Sequence, residues 1–589
     1  MLRRHFGPWI GLTLGWLALT TACGDDASNG GPSGSAGAAG SGGGSAGAAG
    51  SGGGAGGSSS TGGSAGASGS SGGGAGQAGA GGSGGTGGGA AATCADITSG
   101  AASPKVFWPK PVRAYPNLPF TYTMVAYDED GHDLCYALEQ APTGMTIDGA
   151  GTIHWAPSDA DLGAHAFAVE MRTRAGGSAR VQVNLEVKTS GFVFVAPNGA
   201  PGAQGTYDDP FPTIERGLQA LKPNLAKTLI IRGGTYAVDW RWEVSGVSSP
   251  TRGAHFTAND PGEVLGYPGE RVLIDCQQGS HGLWLYDAEY VIARDLEVQG
   301  ASASERGGAI ATGEHLVFQR LYVHDSDWSQ ANNCTGFLFH GVENVAHRCQ
   351  ARDNYDRDKS DGPLWNNSNY LTYADDGPDS SAYAIESESS GSVVGFKVKH
   401  AGPGAVTFHR VRDEGSTYGF GGMDDGLRIR YSTFIDNDKG IMLGMTDPGP
   451  HTDAGDQRIE HNTVIRPQES ALMLQYLPRE PIDVSGNIFF VDRPFGAAED
   501  TQWMYDLVRY TSDPPLTTLR IDRNCLYAPE NDSGFRVGRE MESFAAWTAR
   551  GQDTASVWGE PGFLGASDPR LAPSSPCRFA DGTVAGSQP

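Results

Sequence analysis

The feature that most restricts this chain is a strand motif that keeps returning. Nine-residue segments rich in branched and aromatic side chains run from Tyr290 to Val298, His315 to Val323, Leu427 to Ile435, Gln457 to Ile465, Ile482 to Phe490 and Leu519 to Tyr527, with a shorter one from Asn344 to Ala351. Corresponding positions Leu296, Leu321 and Cys349 are 25 and 28 residues apart, and Ser432, Thr463, Ile488 and Cys525 follow one another at 31, 25 and 37. Periods of this size mean a solenoid, because one repeat cannot bury its apolar face alone and stacked repeats share a continuous core. Asn462, Asn487 and Asn524 recur at one place in the motif. They are expected to stack inward at a coil bend and satisfy backbone groups, a structural role.

The rest of the chain divides by composition. Ala27 to Ala92 holds 31 of the 88 glycines and only Gly, Ser, Ala, Thr, Asn, Pro and Gln. Such a segment cannot bury enough surface to offset chain ordering and reads as a tether, with a root-mean-square span of about 40 to 50 Å. Before it come Arg3 and Arg4, an apolar run from Trp9 to Leu19 too short to span a bilayer, and small residues ahead of Cys23. Leu19 to Cys23 resembles a bacterial lipobox, in which cleavage before the cysteine is coupled to lipidation of its thiol, although Leu stands four residues before Cys23 rather than three. The resemblance implies a signal peptide over 1–22, a lipid anchor on Cys23 and a tether over 23–93. It places the protein in the cell envelope, on the outer membrane or cell surface, with ordinary secretion as the alternative. The formal charge of −25 argues against a nucleic-acid binder.

Without Cys23 seven cysteines remain, none spaced as C-x-x-C, so structural bridges are expected in an oxidising compartment. The expected pairs are Cys94 with Cys135, Cys334 with Cys349, and Cys525 with Cys577.

Residues 94–189 alternate short apolar runs with turn signals, as in Phe120 to Tyr127, Thr152 to Trp155, Ala166 to Met171 and Arg180 to Val187, which predicts a β-sandwich. The stretches Val125 to Asp133, Ala141 to Asp148 and Gly151 to Pro157 resemble the immunoglobulin- or cadherin-like repeats of bacterial surface proteins. A spacer or binding module is implied. Asp128, Glu129, Asp130 and Asp133 form an acidic turn, either solvated or a Ca²⁺ site.

From residue 190 onward the chain opens as strand, short helix, strand. Thr213 is placed to cap a helix whose Ile214, Leu218 and Leu221 form one apolar stripe. Gly191 to Gly199, Asp208 to Leu221 and Thr228 to Tyr236 resemble the N-terminal cap of right-handed parallel β-helix proteins of the pectate-lyase-like superfamily, and Trp558 to Leu564 with Ser574 to Cys577 resembles their closing segment. The fold class expected is therefore all-β, a right-handed parallel β-helix over 190–589 preceded by the sandwich.

That resemblance implies a carbohydrate-active protein whose polymer lies along an outer sheet face, since outward side chains alternate with core ones. Polysaccharide lyases of the superfamily remove the C5 proton of a uronic acid with Lys or Arg, while Ca²⁺ or another cation neutralises the sugar carboxylate. Lys397 and Lys399 alternate with Phe396 and Val398 and are predicted to face outward about 6.6 Å apart, where repulsion favours a neutral form of one. They are the candidate base, with His409 and Arg410 as carboxylate clamp or proton donor. Glu386 and Glu388, outward by the same alternation, would pair with the lysines and spoil the base if they adjoin them. Asp353, Asp356, Asp358 and Asp361, with Asp375, Asp376 and Asp379 soon after, are candidate Ca²⁺ ligands; the segment departs from an EF-hand in having Asp361 where Gly is needed and Asn367 where Glu is needed. Asp424 and Asp425 faintly resemble the paired carboxylates of polygalacturonase-type glycosidases, but adjacent strand residues point apart. The lyase-type reading on an acidic polysaccharide stands beside two rivals, a non-catalytic glycan-binding or adhesion protein and a glycoside hydrolase. Aromatic loops at Trp240, Trp242 and Trp365 suit sugar stacking in each case.

Overall fold

The structure is a computed structural model that describes residues 103–587 apart from 175, 239–253, 279–280, 303–306, 328–333, 356–366, 374–379, 400–404, 423–425, 445–455, 476–480, 496–502, 508–515, 531, 539 and 566–567. The leader, Cys23, the tether and Cys94 lie outside the described residues. All described residues belong to one unit, Gly87–Pro589.

Its N-terminal part is two facing sheets. One orders Arg113–Ala114, Ser178–Val187, Gly163–Thr173 and Leu134–Glu139, and the other Phe120–Thr123, Thr152–Trp155 and Thr146–Ile147. Alternate residues of Ser178–Val187 turn inward, so Val183, Leu185 and Val187 meet Tyr122, Ile153 and Phe167 in a shared core.

From Phe192 the chain winds into parallel coils, each made of three short strands from Thr335 to Tyr527. One coil is Val394–Lys399, Ala405–His409 and Arg412–Glu414, and the next begins with Tyr418–Gly422 directly beside Val394–Lys399. Parallel pairing from coil to coil builds three faces. The first runs through Thr335–Val342, Ser368–Tyr373 and Val394–Lys399, the second through Asn344–His347, Ser381–Ile385 and Ala405–His409, and the third through Gln350–Arg352, Glu388–Ser390 and Arg412–Glu414. Inside, Tyr370 stacks between Phe337 and Phe396 at ring-centroid distances of 4.8 and 4.6 Å. The first coil is closed by the helix Ile214–Ala220, whose Thr213 accepts a hydrogen bond from the Arg216 amide and whose Ile214 and Leu218 are buried.

The bend between the second and third faces explains both the repeat and its asparagines. At that corner a left-handed residue recurs in successive coils: Asp295, Arg320, Arg348, Glu386, Arg410, Tyr431, His461, Gly486 and Arg523. Just past it, Asn487 Oδ1 accepts from the Asn462 amide at 2.9 Å, Asn524 Oδ1 accepts from the Asn487 amide at 2.9 Å, and Asn487 Nδ2 donates to Ile459 O at 2.8 Å. The expected inward ladder is present. Ser432 and Ser387 continue it upstream, their hydroxyls accepting from the amides of Val411 and Cys349.

Cys525 and Cys577 form the expected disulfide, which fastens the C-terminal segment to the third face. Cys135 is disulfide-bonded as well. The expected Cys334–Cys349 bridge does not form. Both are buried thiols, and the Cys349 Sγ donates into the coil toward Phe318 O at 3.3 Å, because its place just past the corner residue Arg348 faces the core.

The sandwich is not a detached spacer. Phe107, Val125 and Tyr127 form one apolar cluster with Ile292, Val317, Val345, Tyr383 and Ile385, the outward side chains of the second face. Gln319 donates to Thr123 O at 3.0 Å, Arg348 to Ala150 O at 2.9 Å, and Arg410 to Asp133 at 2.8 Å and Gly131 O at 2.5 Å. In the acidic turn, Asp133 thus serves an arginine of the solenoid and Asp128 accepts from the Asp130 amide at 2.7 Å. The second face is thereby closed to a polymer over this stretch.

Candidate functional site

With the second face covered by the sandwich here, the outward residues of the first face become the place to look for chemistry. Lys397 and Lys399 lie there, as the alternation with Phe396 and Val398 predicts: both aromatic and valine are fully buried in the core. The Lys397 side chain nonetheless sits at 2% exposure, between Leu371 and Gly421 of the adjacent coils in strand register, whereas Lys399 is half-buried. Burial, and then the neighbouring charge of Lys399, push the Lys397 ammonium down to about 7. A lysine so placed is part neutral at neutral pH and able to accept a proton.

Glu386 and Glu388 do not adjoin these lysines. Glu386 occupies the corner between the second and third faces, where its carboxylate accepts from Arg348 Nε at 2.6 Å. Burial works to raise it, but Arg348 and His347 hold it down at about 2. Glu388 belongs to the third face, beside Gln350 and Arg412. One coil bend separates each glutamate from the first face, so a linear alternation pattern could not place them.

The step from the first face to the second likewise removes the two partners expected of the lysines. His409 ends a second-face strand, is 1% exposed, and its ring lies 4.6 Å from that of Tyr127 in the sandwich. Burial, and then Arg410, push its imidazole down to about 3. Arg410 is occupied by Asp133 and Gly131. The structure thus brings Lys397 and Lys399 together and assigns His409 and Arg410 to the sandwich interface, a placement that only the docked sandwich reveals.

Of the candidate metal ligands, Asp353 is a left-handed residue at the end of the third face, where Arg352 donates to it at 2.9 Å. Asp356, Asp358, Asp361, Asp375, Asp376 and Asp379 lie outside the described residues, as do His400, Asp424, Asp425, Trp240, Trp242 and Trp365. Among the described residues no cluster of three His, Cys, Asp or Glu side chains is arranged to hold a metal ion.

A buried acid escaped the sequence reading. Asp413 lies in the core, where Ser389 and Asn437 donate to it at 2.5 Å each and Ser416 at 2.9 Å; burial pushes its carboxyl up to about 7. Asn354 and Asn369 extend this network. The signal was a second inward polar column at the far end of the third-face strands. Its depth makes it part of the scaffold.

Comparison with known proteins fits the coil geometry. Residues 193–368 match a Pel9A-like, right handed beta helix region. The Pel9A-like match ends one coil before Val394–Lys399, so the lysine strand lies beyond it. No curated protein matches the chain. Among solved structures, a rhamnogalacturonan lyase is 14% identical with TM-score 0.33, covering 67% of this chain and 96% of its own. The catalytic unit of a GH87 alpha-1,3-glucanase from Streptomyces thermodiastaticus strain HF3-3 is 8% identical with TM-score 0.27, covering 66% and 87%. A candidate alpha-galactosidase/melibiase from Bacteroides fragilis NCTC 9343 is 16% identical with TM-score 0.14 over 23% of this chain, which spans 29% of that protein's length.

Proposed function

We propose that the protein is a polysaccharide lyase-like enzyme that holds an acidic polysaccharide along the first face and cleaves it by β-elimination. The observation that carries this reading is Lys397, an outward lysine beside the core strand whose ammonium is brought down to about 7 by burial and by Lys399. In the reaction the neutral Lys397 amine takes the proton from C5 of a uronic acid unit. The electron pair left at C5 forms the C4–C5 double bond as the glycosidic C4–O bond breaks, and the leaving oxygen gains a proton from solvent. Lys399, one outward position along, faces the sugar carboxylate and offsets the negative charge that builds toward it in the transition state.

A calcium ion at the sugar carboxylate is part of the same proposal. Hard carboxylate oxygens suit it, and Asp353 is engaged by Arg352. The anchor on Cys23 and the envelope location complete the proposal, with the tether giving the body reach from the membrane. No described helix is long and apolar enough to cross a membrane.

The test is incubation of the purified protein with polyuronates while following ultraviolet absorbance of the unsaturated product. Lys397→Ala should abolish product while leaving binding largely intact, since proton removal acts in the transition state. Binding of a polyuronate without any unsaturated product would favour the non-catalytic glycan-binding reading.

A further inference from the structure

We propose that the corner between the first and second faces, at the N-terminal end of the row that leads to Lys399, is a subsite for an uncharged, hydroxyl-rich sugar unit. The inference rests on the reading that a polysaccharide lies along the first face.

A cleft of about 570 Å³ opens at this corner. Its floor carries almost no side chains: Ala288, Gly313 and Gly341 stack in register over three coils. The glycines are obligatory, because a Cβ on Gly313 would strike the Ala288 carbonyl and one on Gly341, which is also left-handed at φ 120°, would strike the Gly313 carbonyl. One wall is the outward row Tyr286, Thr312 and His340; the other is Glu289 and Glu314, with His255 held against Glu289 at 3.1 Å. A bare floor between an aromatic wall and a carboxylate wall fits a flat pyranose ring. The aromatic wall offers apolar faces to its C–H groups, and carboxylate oxygens accept from its hydroxyls.

Charge decides which sugar. Glu289, Glu314 and the exposed Asp287 line one cleft, and among the described residues no lysine or arginine lines it. A uronate carboxylate entering there would meet like charge at short range, whereas a neutral sugar carries no charge for the carboxylates to repel and its hydroxyls can donate to them. The aromatic row continues in register through Tyr373 to Lys399, three strand spacings or about 14 Å beyond Thr312. One polymer along the face would therefore place a charged unit at the lysines and an uncharged unit at this cleft. The substrate class this fits is a heteropolymer in which uronic acids are interspersed with neutral sugars, rather than a pure polyuronate.

The test is titration calorimetry of the full chain with neutral hexasaccharides of galactose, glucose and xylose and with a hexamer of galacturonate, repeated for Tyr286→Ala and Glu314→Lys. At least one neutral hexasaccharide should bind, with affinity lowered about tenfold or more in both variants. Glu314→Lys should strengthen binding of the galacturonate hexamer. Unfolding midpoints check that the variants remain folded. The proposal is overturned if no neutral hexasaccharide binds the native protein, or if binding persists unchanged in both folded variants. This readout is separate from product formation, so loss of the lyase reading and loss of the subsite are distinguishable.

Discussion

Replacing Lys399 by Met tests how the Lys397 amine comes to be neutral. The ordinary lysine value of 10.5 falls to about 7, and burial is the larger cause with the Lys399 charge second. Lys399 therefore supplies less than half of the difference of about 3.5 units. Coulomb's law gives a consistent ceiling: two unit charges about 7 Å apart in an effective dielectric of about 20 repel by about 2.4 kcal/mol, or about 1.7 units. In Lys399→Met the half-rise of kcat with pH should move upward from about 7 by about one unit and by no more than about 1.7. With a one-unit move the neutral fraction at pH 7 falls from about one half to about one tenth, so the pH-dependent part of the loss in kcat is about fivefold at pH 7 and is gone by about pH 9. The assay is the pH profile of unsaturated product formation at saturating substrate, native against variant. A profile that keeps its half-rise near 7 would show that Lys399 does not tune the base, whatever pH-independent loss its contact with the sugar carboxylate adds.

Further outcomes follow from the same geometry. His347 and His409 are buried with values pushed down to about 3, so the folded state resists protons that the unfolded chain takes up below about 6.5. Stability contributed by each is full above that value and is lost as pH falls toward 3, by on the order of 4 kcal/mol; denaturant unfolding of His409→Phe at pH 7 and pH 4.5 should show a smaller acid loss than the native protein. Asn487→Ala leaves the buried Asn462 amide without its acceptor and should cost about 2 to 4 kcal/mol, read from the chemical-denaturation midpoint. Because the sandwich shares an apolar cluster and several arginine contacts with the second face, calorimetry of residues 94–589 should give no separate early transition for residues 103–189. Cys23→Ser should release the body from detergent and membrane fractions in soluble form if the thiol carries the lipid anchor, and unchanged membrane association would remove that idea.

What the sequence determined by itself is whatever local periodicity encodes. Strands recur at coil spacing, Phe396 and Val398 face in while Lys397 and Lys399 face out, the three asparagines stack, and Thr213 caps the closing helix, because each follows from side-chain alternation or from groups a few residues apart. What only the tertiary structure decided is which of three faces each residue occupies and what covers that face. Each coil turn sends the residues beyond it to a different face, so Glu386 and Glu388 before the lysines and His409 and Arg410 after them, all close along the chain, are carried away from them. The sandwich then closes the second face with contacts such as that between Arg410 and Asp133, 277 residues apart. Contacts across such separations leave no periodic trace in a single sequence, and the same holds for Cys349, whose thiol points into the coil rather than toward Cys334. The burial that turns Lys397 from an ordinary surface lysine into a candidate base is likewise a property of packed coils, since desolvation depends on everything that surrounds the amine and not on the residues beside it in the chain.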